Sequence, residues 1–598
     1  MRRDDIARGA GAAARSDVLV LVLIAGASCF LYAALFSRFP LTTHEGLETY
    51  IRTHQYLQEL GHGHWIPQVF PAAVRGAGSA FPSFYPPFAY MTTVALSFVL
   101  RDVVRGVNIS LLLSVVLSGW AMYFCIVVLT RNKPVALAAA LLYISFPYRF
   151  VDVFVRGALA ESWSFVWFPL ILAGTWRVVT RRHLPWYLPV AWAGLILTHV
   201  GMSLYFAFPY ALLVLLALWR EGWRPAAALV GAFAVAIGLT LWFVVPQQHL
   251  LHSVRANDPY TMDAYTDFVV HERKAPSDLI GTWHNGWRGL DKDFILPSGK
   301  ACPHYYCGRS FVLGTGHVLM LVLLTGFAVA LVGAWSRRLR PRPDERRMLW
   351  LMPALLVGYC FNLAFILNPR LFLDVLPATF GYIQLPWRLL GTAAFFAATV
   401  IAIISSSRVV PRWLGPAVLV LSVVLVLAVP SYQRKPAYYR GTNEAEIVRL
   451  IPTRSDRGFT VQGEYLPKEV NAYDIGPYLI PAPIVRGDGR VVRWHRHDGD
   501  LDATVTARSG AVVVLPLLYY DFYRVTGRHV GRLDTFNSRG LLAVRAPAGT
   551  TELRVSHGLT GFNWRGLAAT VASGVVLTAA VGRRRRARAY ARQGAHGP

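Results

Sequence analysis

The feature that most constrains the fold of this chain is a series of long apolar runs separated by short polar segments. The first run, residues 18–36, is long enough to cross a bilayer as a helix, and similar runs recur along the 598 residues. Hydrophobic residues make up 54% of the sequence, which agrees with a chain that lies mostly in a membrane. The pattern predicts a mainly α protein, a polytopic transmembrane helical bundle of about 12 spans.

The apolar runs set the bounds of the predicted helices. No small-residue cleavage site follows the first run, so we interpret it as a retained membrane helix and not as a signal peptide. Residues 184–218 predict two helices with a turn near His199, a lone histidine expected to hydrogen-bond between helices. The short stretch 88–100 predicts an interfacial helix. The other predicted spans are residues 107–129, 135–147, 163–179, 226–246, 317–335, 349–366, 414–429 and 567–581, with one more after Arg388.

The runs divide the chain into three regions. Residues 1–429 are expected to form the bundle, with outer loops at 37–87, 149–162 and 247–314. Residues 430–562 are less apolar, and alternating runs such as 501–507 and 541–546 between turn formers predict a β-rich extracytoplasmic domain. Residues 563–598 are expected to hold the last span and a basic cytoplasmic tail.

The net charge of +27 is gathered in short clusters between the apolar runs. If the N-terminus is cytoplasmic and the spans alternate, the dense clusters at 337–342 and 583–586 both fall on the cytoplasmic side, as basic loops do in membrane proteins. Attraction to anionic lipid headgroups accounts for the charge, so we expect membrane lipid as a partner and no nucleic acid.

The five cysteines fall into two groups. Cys29, Cys125 and Cys360 lie in apolar runs, where small buried hydrophobic side chains are expected. Cys302 and Cys307 lie together in the long polar loop and could form a disulfide or half of a metal site. We favour the disulfide because no second cysteine pair accompanies them.

The first outer loop carries a group of ionisable residues directly after the first run: His44, Glu45, Glu48, Arg52 and His54. In a helix, the acids and the arginine would share one face. A carboxylate beside a low-dielectric boundary suits a general base. The alternative interpretation is an amphipathic surface helix with ordinary charge pairs.

Aromatic rings and prolines continue this loop through residues 81–87, which include Tyr85. A rigid surface of rings can stack on the apolar faces of sugars. It can equally form an interfacial aromatic belt, which is the commoner case.

A second charged segment lies between two apolar runs and holds Asp152, Arg156 and Glu161. Ionisable residues at a membrane boundary are costly unless they have a function, although Asp152 and Arg156 could simply pair along a helix. Further along, Gln384, Trp387 and Arg388 precede a span. A guanidinium at a helix start suits a phosphate group, and the alternative is an interfacial anchor.

Several motifs occur in the same order as in a known family. The chain resembles the bacterial membrane proteins labelled 6-pyruvoyl-tetrahydropterin synthase-related, and also the YfhO-like membrane proteins, although nothing in it resembles a soluble pterin enzyme. The motifs are His44-Glu45-Gly46 with Arg52, Phe84-Tyr85-Pro86-Pro87, Pro147-Tyr148 with Asp152, Arg156 and Glu161, Gln384-Leu385-Pro386-Trp387-Arg388, Glu464-Tyr465-Leu466-Pro467, and residues 515–520.

These families are similar to glycosyltransferases of the GT-C class, and the resemblance implies a function. It implies a catalytic carboxylate in the first outer loop, which is Glu45 here, and a polyprenyl-phosphate sugar as donor. The chain departs from the family pattern, which more often has Asp at this position and His at that of Thr49, so His44 and His54 are candidate substitutes. The acceptor would be a cell-envelope glycan or lipid at the outer face of the bacterial cytoplasmic (inner) membrane, with both termini cytoplasmic.

The remaining site residues are placed by combining these motifs with the resemblance. Arg388, Arg156 and Arg52 are expected to bind the donor phosphate. The resemblance implies no definite cofactor, and the acids present permit a divalent cation without demanding one. The expected substrate-binding residues are His44, Glu48, His54, Tyr85, Asp152, Glu161, Gln384 and Trp387.

Two other functions stay open from the sequence. A transporter or flippase of lipid-linked glycans would also place charges at the outer boundary, although the chain has no internal repeat of the kind many transporters show. A non-catalytic envelope assembly factor would use the β-rich domain to bind a partner.

Overall fold

A computed structural model of the chain describes residues 3–271, 343–376, 383–407, 413–427, 438–454, 463–471, 474–497 and 500–594, with a few isolated residues beside them. Most of the predicted span at 317–335 and the predicted Cys302–Cys307 disulfide lie outside the described residues. Cys125 is buried as expected, whereas Cys29 is half-buried and Cys360 is exposed.

The described residues are mainly helical. Several helices begin at recognisable caps: the Asn132 side chain accepts a hydrogen bond from the Val135 N–H, and His199 Nδ1 accepts one from the Met202 N–H. The helices are α1 Arg3–Leu31, α2 Glu48–Gly61, α3 Phe81–Phe84, α4 Phe88–Leu100, α5 Val103–Thr130, α6 Lys133–Ile144, α7 Pro147–Phe150, α8 Leu159–Arg181, α9 Tyr187–Thr198, α10 Val200–Glu221, α11 Trp223–Leu250, α12 Pro259–His271, α13 Pro343–Leu367, α14 Arg370–Leu373, α15 Leu390–Ser406, α16 Leu414–Leu427, α17 Glu444–Arg454 and α18 Gly561–Gly594.

Six of the described helices are long and apolar enough to cross a membrane, and a bent pair makes a possible seventh span. The six cover Val103–Thr130, Val200–Glu221, Trp223–Leu250, Arg347–Leu367, Pro386–Ser406 and Gly561–Gly582. The transmembrane helical class is therefore confirmed, but a total of about 12 spans is not.

The apolar part of α18 shows why these helices belong in lipid. Only 6% of its apolar window is buried within the protein, and Val571, Val575 and Val576 are all exposed. Apolar side chains on such a continuous face are stable in hydrocarbon and unfavourable in water.

Most helix positions agree with the sequence predictions, and the differences have local causes. The predicted break near His199 separates α9 from α10, and His199 caps α10 through its own ring nitrogen. The first helix ends at Leu31, and residues Ala33–Phe36 turn in a 3₁₀ helix. The segment predicted as an outer loop at 149–162 is helical and buried.

The chain divides into two compact units, each assembled from three separate stretches. Unit 1 comprises Met1–Gly46, Asn108–Ile237 and Thr266–Tyr439. Its centre is α15, whose residues from Leu390 to Ile404 are all buried, with α6, α8, α13 and α16 packed around it. A helix buried on every side is apolar on every side, which explains the unbroken hydrophobic run.

Unit 2 comprises Leu47–Val107, Gly238–Tyr265 and Arg440–Pro598 and contains the β-rich region. The predicted runs at 501–507 and 541–546 are strands, in β2 and β6. The strands β1 Ile484–His497, β2 Asp500–Leu518, β3 Tyr523–Gly527, β4 Gly531–Leu533, β5 Thr535–Ser538, β6 Leu541–Ala546 and β7 Gly549–His557 are all antiparallel and form a near-closed barrel.

The long strand β2 organises the sheet, whose order is β4-β3-β7-β2-β6-β5. One edge of β2 pairs with β1, while the other edge pairs first with β7 and then with β6. Leu501, Ala503, Val505 and Ala507 alternate inward from β2 with half-exposed neighbours, as a strand with one buried face requires. The helix α17 precedes the strands and was not predicted; Asn443 caps it by accepting from the Glu446 N–H.

Candidate functional site

The second charged segment lies at a break in a membrane helix. The helix α6 ends at Ile144, Pro147 begins α7, and Val151–Arg156 continue as a π-helix, so that the two halves are bent by 48°. A π-helical turn widens the backbone spiral and is frequent at functional sites. Gly157 then ends the turn with a φ of +65°, and α8 begins at Leu159.

Gly157 is required at this position for a second reason. A Cβ atom there would lie 2.4 Å from the Thr43 Oγ1 atom, closer than atoms can approach. This close contact joins the π-helical turn to the first outer loop, where the His44 and Glu45 N–H groups donate to the carbonyl oxygens of Val155 and Arg156 at 2.8 and 3.0 Å. The backbone of the candidate base Glu45 is therefore attached to the π-helical turn, and its side chain is half-buried.

Arg156 lies at the centre of the buried charge cluster, which we define as Arg149, Asp152, Arg156, Glu161 and Arg388. The Arg156 guanidinium donates to Asp152 Oδ1 at 3.1 Å, and it also donates to a carboxylate oxygen of Glu161. The Tyr148 hydroxyl donates to the other Glu161 oxygen at 2.5 Å and accepts from Arg156 at 3.2 Å. Both carboxylates and the guanidinium are almost completely buried.

Arg149 extends the cluster toward the interior of unit 1. Its guanidinium donates to the Ser162 carbonyl oxygen at 2.8 Å and to Ser114 Oγ at 3.1 Å, and it lies 3.6 Å from Asp152 Oδ2. The same group lies 4.1 Å from the centre of the Phe165 ring. The Arg149 side chain is fully buried.

Arg388 approaches Glu161 from another element, the 3₁₀ turn Pro386–Leu389 that leads into α15. Its Nε atom lies 3.6 Å from Glu161 Oε2, and its Nη1 donates to the Ile383 carbonyl oxygen at 2.8 Å. Among the five described residues that define the cluster, three guanidinium groups face two carboxylates, which leaves one positive charge in excess within this set. An anion held at the cluster would neutralise that charge.

Trp387 lies within this turn, and Gln384 lies just before it. The Trp387 ring is buried, with the Arg156 guanidinium 4.7 Å from its centre, so it fixes the plane of that guanidinium. Gln384 has a φ of +58° and is half-buried, and its N–H donates to the Gly381 carbonyl oxygen. Six further predicted residues therefore lie in unit 1 with Glu45 and Arg388: His44, Asp152, Arg156, Glu161, Gln384 and Trp387.

The other four predicted site residues belong to unit 2, where two of them support each other. Helix α2 begins at Glu48, so Glu45 precedes it and does not share its face. Arg52 Nη2 donates to Glu48 Oε2 at 2.8 Å, and its Nη1 donates to the Tyr90 hydroxyl at 3.1 Å, with the Phe81 ring 4.8 Å away. These contacts match the alternative interpretation of a helix with a charge pair, and the phosphate role of Arg52 stays a prediction.

His54 and Tyr85 also have partners within unit 2. The His54 Nδ1 atom lies 3.1 Å from Glu444 Oε1. The Tyr85 ring stacks on Phe81 at 4.8 Å and meets the edge of Tyr90 at 5.7 Å. Their sugar-binding roles likewise stay predictions.

A second cluster, which the sequence analysis did not find, joins α2 and the following turn to the sheet. Glu59 Oε2 lies 2.9 Å from His64 Nδ1 and 3.3 Å from His557 Nε2, and Asp500 Oδ1 lies 3.5 Å from His557 Nδ1. Burial disfavours the charged imidazole, but the ion pairs with Asp500 and Glu59 outweigh it and raise the pKa of His557 to about 9. His557 gives no local sequence signal, because it follows Glu59 by 498 residues.

Comparison with known proteins supports the resemblance to a family. Residues 83–266 match the family model described as 6-pyruvoyl-tetrahydropterin synthase related domain, a membrane protein. This is the family that the sequence motifs resemble, and the resemblance is confirmed over these residues. The matched range contains Arg149, Asp152, Arg156 and Glu161 but not Arg388. A search of curated proteins finds no match to the chain.

Proposed function

We propose that the chain is a GT-C-type glycosyltransferase of the bacterial cytoplasmic membrane, with both termini cytoplasmic. It would transfer a sugar from a polyprenyl-phosphate donor to an extracytoplasmic glycan or lipid acceptor. The observation that carries the proposal is the excess positive charge of the buried charge cluster at a broken membrane helix. Burying an unbalanced guanidinium is costly, so its retention is best explained by an anionic ligand.

Arg388 is the group best placed to bind the donor phosphate. Its side chain keeps 13% of its surface exposed, whereas those of Arg156 and Arg149 keep 4% and 0%. Its contact to Glu161 is also longer than that of Arg156. A phosphate could therefore share Arg388 with Glu161 without breaking the inner hydrogen bonds that hold Arg156 and Arg149.

The chemical step is a substitution at the anomeric carbon of the sugar. Glu45 accepts the proton of the acceptor hydroxyl, the hydroxyl oxygen forms the new bond to the anomeric carbon, and the bond from that carbon to the phosphate oxygen breaks. The electron pair leaves with the polyprenyl phosphate, whose growing negative charge Arg388 stabilises. Asp152 and Glu161 keep the arginines ionised and oriented.

The test is transfer of radiolabelled sugar from polyprenyl-phosphate hexose or pentose donors to a cell-envelope glycan fraction by the purified protein in detergent. Glu45→Gln removes the general base, and Arg388→Ala removes the phosphate-binding charge. Because each change removes transition-state stabilisation, each variant should lower the transfer rate by about 100-fold or more. Arg370→Ala removes an exposed arginine of the same unit and serves as the matched control.

Three outcomes would reject the proposal in different ways. Full transfer by both variants would refute the site. Absence of transfer by the native protein, combined with movement of the lipid-linked glycan across reconstituted vesicles, would assign a flippase instead. If the native protein shows neither sugar transfer nor glycan movement, and Glu45→Gln complements a deletion strain, the assembly-factor interpretation holds.

A further inference from the structure

The second cluster brings together three side chains that are common metal ligands. Glu59 Oε2, His64 Nδ1 and His557 Nε2 belong to a group whose ligand atoms all lie within 4.8 Å of one another. Two of the ligands come from the end of α2 and the turn after it, and the third comes from the last residue of β7. The residues of this cluster are different from those of the buried charge cluster, and the inference is independent of the proposed function.

Two of the three distances between these ligand atoms are close to those of a tetrahedral metal site. With metal–ligand bonds of about 2.0–2.1 Å, the edges of a tetrahedral site are about 3.3 Å long. The two measured edges from the Glu59 oxygen are 2.9 Å to His64 and 3.3 Å to His557. The two imidazole rings are 4.3 Å apart between centres and inclined by 57°, and one nitrogen of each approaches the same Glu59 oxygen.

The surroundings provide the outer contacts that metal-binding histidines usually have. Asp500 Oδ1 lies 3.5 Å from His557 Nδ1, the nitrogen on the opposite side of the ring from Glu59. A carboxylate in this position fixes the ring orientation and increases the basicity of the ligating nitrogen. The His64 N–H donates to the Glu59 carbonyl oxygen at 3.0 Å, which holds the turn between these two ligands.

Burial and charge select the kind of ion. The Glu59 and His557 side chains are 3% and 1% exposed, while the His64 side chain is 30% exposed and leaves a route for the ion from solvent. Two imidazoles and one carboxylate are the ligand set of many zinc sites and are poorly suited to Mg²⁺ or Ca²⁺, which prefer oxygen ligands.

We propose that Glu59, His64 and His557 bind one Zn²⁺ ion, with Asp500 positioning His557. The ion would connect α2 to the barrel within unit 2 and would stabilise the folded state, because the unfolded chain cannot assemble ligands so far apart in sequence.

The test is metal analysis of the full chain, purified in detergent, stripped with a chelator and dialysed against Zn²⁺. We expect about one zinc per chain and an increase of the thermal midpoint on adding Zn²⁺ that Mg²⁺ does not produce. Cobalt substitution should give the visible absorption of a tetrahedral nitrogen–oxygen site, which an ion-pair network alone would not give.

Two variants separate metal binding from folding. His64→Ala removes the most exposed ligand, so it should fold, lose stoichiometric zinc and lose the zinc-induced midpoint shift. Asp500→Asn should weaken zinc binding by about 10- to 100-fold. His62→Ala changes an exposed histidine two residues away and should retain both zinc and the shift.

Less than a tenth of an equivalent of zinc in the native chain, with no midpoint shift and no cobalt spectrum, would overturn the proposal. Retention of a full equivalent by His64→Ala would do the same.

Discussion

At the scale of single residues, Arg149 is the charge whose removal should be most damaging to unit 1. Its guanidinium is fully buried, donates hydrogen bonds to Ser114 and Ser162, and lies beside Asp152. Arg149→Met would remove two buried hydrogen bonds and the cation beside Asp152 Oδ2, so we expect it to lower the free energy of unfolding by about 3 kcal/mol. Equilibrium unfolding of the purified protein in detergent measures this change.

The matched control for this prediction is Arg182→Met. Arg182 also pairs with a carboxylate, that of Glu221 at 3.0 Å, but its side chain is 51% exposed. Because solvent screens such a pair, the expected loss is below about 1 kcal/mol. Equal losses for the two variants would show that burial does not set the importance of Arg149.

The same residues show what sequence reasoning could and could not find. Asp152 and Arg156 were identified because charged residues between apolar runs stand out. The burial of Arg149 and its contacts to Ser114 and Ser162 depend on how helices pack, which no local pattern records. Similarly, Glu59 and His64 are close in sequence, but nothing near His557 indicates that it joins them.

At the scale of elements, the connection between the first outer loop and the π-helical turn depends on Gly157. Gly157→Ala would combine a positive φ with a Cβ atom 2.4 Å from Thr43 Oγ1, so both the glycine backbone and its neighbour would have to move. We expect a loss of about 2–3 kcal/mol in the free energy of unfolding. Thermal unfolding in detergent would detect it as a lower midpoint.

Gly63→Ala separates the two causes in this prediction. Gly63 also has a positive φ, of +87°, but a Cβ atom there would meet nothing within 4 Å. The variant should therefore show the backbone strain alone, about 1 kcal/mol. A loss as large as that of Gly157→Ala would mean that the contact with Thr43 is unimportant.

Hydropathy predicted the long helices well because apolar length is a local property of the sequence. It failed at the segment 149–162, where charged residues are buried inside a bent helix instead of leaving the membrane in a loop. The rule that charge marks a loop holds when charges are solvated, and here Arg149 and Arg156 are neutralised by Asp152 and Glu161. The position of such a helix break depends on side chains that come together only in the folded protein, so hydropathy does not predict it.

At the scale of the whole molecule, the orientation in the membrane is the prediction with the widest consequences. The proposed reaction takes place outside the cytoplasm, and it requires the β-rich region outside and the basic cluster at 583–586 inside. Cysteine labelling tests this with single substitutions in a cysteine-free background that keeps folding and expression. Arg490→Cys lies on an exposed position of β1, and Arg585→Cys lies in the basic cluster.

A membrane-impermeant maleimide should label Arg490→Cys in intact spheroplasts and should label Arg585→Cys only after permeabilisation. The basic cluster resists translocation because the negative potential of the cytoplasm and the anionic inner leaflet both hold it there. Labelling of Arg585→Cys in intact spheroplasts, with Arg490→Cys protected, would show that the orientation in the membrane is the reverse of the predicted one. The buried charge cluster would then have to be reached from the cytoplasm, and transfer to an extracytoplasmic acceptor would be ruled out.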